Sequence, residues 1–388
     1  MKELQAIVAQ FELSGRQGKT TALATVIEVR GSTYRKPGAR MLITQDGYTV
    51  GAISGGCLEA DVCERAQQVI TSGQATVVTY DTTSPDDIVW GLGLGCNGVV
   101  SVLIERLNHQ SQMNQITFLA NCFHQRQIGV LATVVQVAEQ MQDRVGTHLM
   151  LQQDGNALGH IENPALAARI LEDARSALHS SRSALKSYQL PLCCAEVFIE
   201  VIQPPVPLVV FGAGYDAMPV VRLAKELGWN VTVVDSRHNT TKQQFSLADA
   251  VVFSRPESIK EHISIDSHTV AVVMTHNYLH DLELLKTLLP SPLRYLGILG
   301  PKSRTEKILQ ELQEAGIKPT VEQMQRLYSP VGLDIGAETP EAIALSIIAE
   351  IQAAIALRAG GSLRTRKGPI HRQVEAKNVS IDACMTHG

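Results

Sequence analysis

The sequence predicts an α/β protein of two unlike parts: an α+β domain built from an internal repeat, then a domain of alternating strands and helices around a parallel sheet. Three observations carry that expectation. Stretches of the first half align with one another at an offset of 108 residues, a proline-rich segment QPPVP spans 203–207, and beyond it an apolar strand runs into a glycine-rich turn and a helix. Stiff proline runs mark joints between domains, so one domain is expected over 1–203 and the next over 207–358.

The bulk properties exclude several classes. Of 388 residues, 45% are hydrophobic and 19% charged, an ordinary globular composition with material for two or three cores. A formal charge of −4 leaves no basic footprint for nucleic acid or for an anionic membrane surface. No apolar run reaches the ~18 residues that a bilayer-crossing helix needs. The opening MKELQAIVAQFELSGRQGKT reads as an amphipathic helix without a signal peptide's apolar centre, so a cytoplasmic protein is expected. Seven cysteines, an odd number with no Cys-x-x-Cys pair, argue against a disulfide framework and against a structural zinc site.

The repeat defines the first domain. ALATVIEV at 22–29 returns as VLATVVQV at 130–137, and GARMLITQDGYTVGAI at 38–53 returns as GTHLMLQQDGNALGHI at 146–161. Each pairs apolar strands with an Asp-Gly turn, so each copy begins with strands and a hairpin. A helix is expected next: LEADVCERAQQVI (58–70) aligns Leu58, Val62, Ala66 and Val69, and 165–178 carries a similar stripe. GVVSVLIERL and AEVFIEVI close the copies, which span about 20–107 and 128–203. Neither copy holds much core alone, so the two are expected to pack as one pseudo-symmetric domain.

Where the copies differ, a site is expected. The first carries RGSTYRKP (30–37), SGGCLE (54–59) and GLGLGCNG (91–98), while the second has AEQMQDRV, ENPALA and, loosely, SYQLPLCC. Residues needed only to fold the scaffold should be needed twice. Gly55 and Gly56 let backbone amides approach a ligand, and a helix N-terminus there favours an anion and gives the Cys57 thiol thiolate character. Arg30, Arg35 and Lys36 add positive charge for a phosphate. The bland alternative is a tight glycine turn with a small buried Cys57, and the same choice stands for Cys96. Cys63 reads as core, and Cys122, Cys193, Cys194 and Cys384 carry no usable spacing.

The second half carries PLVVFGAGYDAMPVVRLAKELGWNVTVVDSR at 207–237. This is the dinucleotide fingerprint in its strand–turn–helix–strand setting. Gly212 makes the turn, Gly214 leaves room for a pyrophosphate, Ala217 allows close helix–sheet packing, and Asp235 is placed for a ribose hydroxyl. A Rossmann-like domain follows, with further strands at 248–253, 269–275 and 294–300. Ligands of such sheets sit beyond the strands' carboxyl ends. There stand His276, an acid/base or hydrogen-bonding candidate, and Lys302 and Arg304, placed for phosphate unless they are a plain solvated helix terminus. Thr339 and Pro340 open an apolar helix expected to bury against the sheet or a second subunit. The tail 359–388 is basic, glycine-containing and expected to be flexible.

With those residues in view, the chain resembles the xanthine dehydrogenase accessory (XdhC/CoxI) family over nearly its whole length. The likeness rests on VRGSTYRKPGARML, GAISGGCLEADV, FGAGYDAMPVVRLAKELGWNVTVVDSR, MTHNYLHDLELL, YLGILGPKSR and VGLDIGAETPEAIALSIIAEI. Tyr215 stands where the family often has histidine, and Asn277 where it commonly has aspartate; both fall on the expected ligand face. The resemblance implies a maturation factor that binds molybdenum cofactor (molybdopterin) as cargo, shields it during sulfuration and hands it to a molybdenum hydroxylase such as xanthine dehydrogenase. It implies a cysteine desulfurase and a homodimer as further partners. The rival readings are an NAD(P)-dependent oxidoreductase with His276 as proton donor, which leaves the Gly-Cys loops unexplained, and a docking protein without a working nucleotide site.

Overall fold

The structure, a computed structural model, describes residues 2–31, 33–81, 98–111, 113–138, 141–190, 193–237 and 244–367. Cys96, Cys384, most of the 91–98 loop and the tail beyond 367 lie outside the described residues. The chain forms two compact units that meet in sequence between Pro204 and Pro205.

The first unit is two copies of one pattern. A helix α1 (Lys2–Arg16) leads into β1 (Thr21–Gly31), β2 (Arg40–Thr44), β3 (Thr49–Gly51), α2 (Glu59–Ser72), β4 (Thr76–Asp81) and β5 (Gly98–Leu107). The second copy repeats it as α3 (Gln115–His124), β6 (Gly129–Val137), β7 (His148–Gln152), β8 (Ala157–Gly159), α4 (Pro164–Ser180), β9 (Ala184–Leu190) and β10 (Cys193–Ile202). The two antiparallel sheets have matching orders, β3-β2-β1-β5-β4 and β8-β7-β6-β10-β9. Residues 82–97 separate β4 from β5, whereas only 191–192 separate β9 from β10. The copies differ most in length at this point of the chain.

Strand alternation sorts the side chains. On β1, Ala22, Ala24 and Val26 pack with Val62, Ala66 and Val69 of α2, while Leu23 joins Leu131 and Met150 of the other copy. Ile27 and Val135 meet in the same way, with Leu103 and Phe198. Each copy buries one sheet face under its own helix and the other against its twin. Ile27 is the extra residue of a β-bulge against β5, and Val135 is the extra residue of the matching bulge against β10.

Between the sheets lie charges. Arg40 on β2 makes a two-pronged pair with Glu200 on β10, Nη1 to Oε1 at 2.8 Å. His148, which occupies Arg40's position in the second copy, contacts Glu105 on β5 through Nε2 at 2.7 Å and Thr133 through Nδ1 at 3.0 Å. The pairs are reciprocal: each copy supplies the base to the other copy's acid. Arg40 and Glu200 expose 1% and 10% of their side chains, so neither has water as a substitute partner.

The second unit is doubly wound. Strands β11 (Pro207–Phe211), β12 (Asn230–Asp235), β13 (Ala250–Phe253), β14 (Val270–Val273), β15 (Tyr295–Ile298) and β16 (Leu327–Tyr328) form one parallel sheet in the order β13-β12-β11-β14-β15-β16. The two-residue β16 is too short to alternate and left no mark in the sequence. One sheet face packs on α5 (Ala217–Glu226) and α8 (Pro340–Ile355), burying Val220, Ala224, Ile347 and Ile351. The other packs on α6 (Tyr278–Leu288) and α7 (Lys302–Glu314) through Leu284, Leu288 and Ile308. The apolar α8, opened by Thr339 and Pro340, thus buries against the sheet and α5.

Removing one partner of a buried ion pair strands the other, at about 3–5 kcal/mol. Glu200→Ala should lower the urea unfolding free energy of the first unit by that order. The double variant Arg40→Met/Glu200→Leu, which removes both charges, should recover most of the loss.

Candidate functional site

Two regions hold the residues singled out in the sequence, one in each unit. In the first, the turn between β3 and α2 is organised by two side chains. Ser54 Oγ accepts the backbone N–H groups of Gly56, Cys57 and Leu58 at 3.1, 3.1 and 3.2 Å. The Glu59 carboxylate accepts Ser54 N–H at 2.8 Å and Ile53 N–H at 3.2 Å, and it also accepts the Ser54 hydroxyl. The expectation that the amides of this turn await an anion is therefore corrected. The helix begins at Glu59, and the chain fills the turn's donors with its own hydroxyl and carboxylate. Burial raises the Glu59 carboxyl, but hydrogen bonds from Ser54 and the backbone outweigh it and hold the group below its ordinary range.

Cys57 is half-buried against the α2 core, and its thiol donates to Ser54 Oγ at 3.4 Å. Gly55 and Gly56 are exposed beside it, and Gly56 adopts φ +114°, which a side chain would resist. The 33–37 loop lies alongside. A Cβ on Gly55 would come within 3.8 Å of the Tyr34 ring, and Glu3 joins the loops by pairing with Arg35 and accepting Ala52 N–H at 2.6 Å. Two of the first-copy loops thus adjoin. The expected free cations do not: Arg35 is paired to Glu3 and Arg30 to Glu28, the latter at 2.8 Å. Each arginine has a carboxylate within reach in the same unit, which water would otherwise have to solvate. Cys63 packs at the α2 core with its thiol raised by burial and then by Glu59, and burial pushes Cys122 up to about 11.

In the second unit, the fingerprint turn and the end of β14 meet where the sheet reverses its winding. Gly212 has φ +115°, and a Cβ there would lie 2.4 Å from the Met274 carbonyl oxygen, so glycine is required. Asp235 does not wait for a ribose. Its Oδ2 accepts Ala213 N–H at 2.7 Å, and Arg237 grips both oxygens through Nε at 3.0 Å and Nη2 at 2.8 Å. Burial raises the Asp235 carboxyl, and these donors more than offset it. The acid's first task is to fasten the turn to β12.

His276 follows β14 in a left-handed conformation, φ +57°, uncommon for a residue with a side chain. Its Nε2 lies 2.8 Å from Asp216 Oδ2. Asp216 stands at the N-cap of α5 yet makes no capping bond, its carboxylate being turned to the histidine. The next residue, Asn277, caps α6 by accepting Leu279 and His280 N–H, so a short acceptor at this position serves the fold. Arg304 is another correction. It pairs with the buried Asp281, which also accepts the Thr275 hydroxyl, and so braces the strand end carrying His276. Lys302, by contrast, is exposed at the start of α7, 3.9 Å from Glu306.

A cavity of about 280 Å³ opens here, lined among others by Gly212, Asp235, Arg237, Ser254, His276 and Asn277. Gly214 and Ala217 do not line it: the would-be Cβ of Gly214 lies 3.8 Å from the His276 ring, and Ala217, the first residue of α5, is wholly buried. Lys302 and Arg304 are not among its lining residues. Asp216, Arg237 and Ser254 were missed in the sequence; their only signal is a position just after a strand or before a helix. Among the described residues, no cluster of three or more His, Cys, Asp or Glu could hold a metal, and no helix is long and apolar enough to cross a membrane.

The Glu59 carboxyl is depressed in the fold, so its contribution is present above its unfolded value and lost as pH falls through the folded one. Glu59→Gln should cost roughly 1–2 kcal/mol at pH 7, and the gap from the unaltered protein should close as urea titrations move below about pH 4.

Comparison with known proteins agrees with this architecture. A family model described as the XdhC Rossmann domain matches residues 208–351, and one described as the XdhC and CoxI family matches 15–81 and 122–189, one stretch in each copy. A probable xanthine dehydrogenase subunit from Bacillus subtilis (strain 168) is 35% identical over 85% of this chain and 91% of its own. The molybdenum cofactor insertion chaperone PaoD of Escherichia coli (strain K12) is 25% identical over 86% of this chain and 83% of its own. The crystal structure of a xanthine dehydrogenase from Bacillus halodurans superposes with a TM-score of 0.73 at 32% identity, covering 92% of this chain and 97% of that one. With both units matched and the relatives aligned along most of their length, the chain belongs to the XdhC and CoxI family.

Proposed function

We propose that the protein binds molybdenum cofactor as cargo and assists its sulfuration and insertion into a molybdenum hydroxylase. The observation that carries this reading is the 280 Å³ cavity at the winding reversal of the Rossmann-like sheet, in a chain similar to a molybdenum cofactor insertion chaperone. The cavity offers Gly212, where the backbone is open to close approach, the Arg237 guanidinium and the His276 imidazole. These suit a phosphate, or a nucleotide where the cofactor carries one. Bracing by Asp235 and Arg304 holds them in place before a ligand arrives.

Cys57 is the thiol this reading assigns to the sulfur chemistry, with a cysteine desulfurase as donor. It is partly exposed in the glycine turn beside the 33–37 loop, whereas Cys122 and Cys194 are buried. Cys96 would join it. The nicotinamide reading draws on the same turn and on Asp235, whose oxygens a ribose would have to share with Ala213 and Arg237.

Incubation with a cofactor-free molybdenum hydroxylase tests the proposal. The purified protein, loaded in cells that make molybdopterin, should activate the client. Cys57→Ser should retain cargo but lose most activation, and Arg237→Gln should retain roughly tenfold less cargo, as expected for one lost charged hydrogen bond. Full activation by Cys57→Ser removes that thiol from the mechanism. A saturable fluorescence change on titration with NADH would favour the oxidoreductase instead.

A further inference from the structure

A second cavity, of about 200 Å³, lies inside the duplicated domain, where the two β-bulges face each other. It is small beside the ~300–1,000 Å³ of sites that enclose a whole drug-sized ligand. One flat ring system would fill it. The bulge residues Ile27 and Val135 line it, with Val77 and Leu185 beside them, all apolar. Bulges re-aim the side chains that follow them, and here the following residues, Glu28 and Gln136, both line the cavity.

A gap left merely by duplication would have walls that repeat. These do not. Glu28 stands where the second copy has Gln136, Arg30 where it has Ala138, and Glu196 opposes Gln136 where the first copy pairs Ser101 with Glu28. The result is an apolar wall with a guanidinium, two carboxylates and the hydroxyls of Thr79 and Ser101 around it. The hydroxyls are bonded to each other at 3.0 Å, and Arg30 reaches Glu28 at 2.8 Å. Glu196 is poorly served by comparison: half-buried, it receives a hydrogen bond from Ser187 at 3.3 Å. Its carboxyl lies above the ordinary range, raised by burial and by Glu28 against the opposing effects of Ser187 and Arg30. Such a carboxylate gains from a ligand edge that presents two parallel N–H donors.

We infer that this cavity recognises the 2-amino-4-oxopyrimidine edge of a pterin ring, with Glu196 accepting from the 2-amino group and the neighbouring ring N–H. Arg30 faces the 4-oxo group, and Ile27 and Val135 cover the ring face. The inference rests on the cargo reading above and deepens it, giving the duplicated domain a pterin-recognition site of its own.

Titration of the purified full-length protein with the fluorescent 6-hydroxymethylpterin tests it. Saturable quenching is expected with the unaltered protein. The 2-oxo analogue 6-hydroxymethyllumazine, which replaces the amino donor with a carbonyl, should compete at least ~10-fold more weakly. Glu196→Gln should weaken pterin binding by a similar factor, and Glu196→Asp by less. Absence of saturable quenching, equal competition by the lumazine, or unaltered affinity in a folded Glu196→Gln protein overturns the site; if that variant does not fold, the lumazine comparison decides. Failure of pterin binding while cofactor still copurifies overturns this site alone. Pterin binding without cofactor copurification overturns the delivery reading alone.

Discussion

The reciprocal pairs Arg40–Glu200 and His148–Glu105 make the duplication obligatory, because each copy buries a charge that only the other copy answers. A buried guanidinium or carboxylate without its partner costs several kcal/mol, so neither sheet can stand with its inner face open. The apolar inner residues, Leu23 with Leu131 and Ile27 with Val135, drive association without direction, and the crossed pairs fix its register. Once this scaffold is locked, the loops at its edge are free to diverge. The glycine-rich turn at 54–58 and the 82–97 segment could be acquired by one copy while the β-framework stayed common to both.

Much of this was legible in the sequence because short periods and a long offset survive translation into structure. The 108-residue repeat became two sheets of one order, and the alternation of 22–27 became two buried faces. The strand–glycine–helix–strand run at 207–235 became the centre of a parallel sheet, since a left-handed glycine and a closely packed Ala217 are demands the chain writes locally. What stayed hidden joins distant residues. Arg40 and Glu200 are 160 positions apart, and His276 and Asp216 are 60 apart. Ser54 and Glu59 are near neighbours, yet their five-residue spacing lies outside the usual S-x-x-E capping box, so the donors of that turn read as vacant when they were filled.

A common theme runs through the corrected residues. Arg30, Arg35, Arg304 and Asp235 each carry the charge that a ligand would want, and each is held by an opposite charge in its own unit. Such pairing does not abolish binding. It positions the groups in advance and lowers the ordering cost of forming a complex, at the expense of a partner that must be shared or displaced. Arg237 is the clearest case: 65% exposed yet anchored twice to Asp235, it presents a fixed cation at the cavity mouth.

The central claim, that the chain carries a pterin cofactor, is tested most directly by isolating the protein from cells that make molybdopterin and from cells that cannot. The bound small molecules are then extracted and identified by mass spectrometry. A phosphorylated pterin in near-stoichiometric amount from the first source, and none from the second, is the expected result. Protein from the first source that carries no pterin, or that carries a nicotinamide nucleotide in its place, contradicts it.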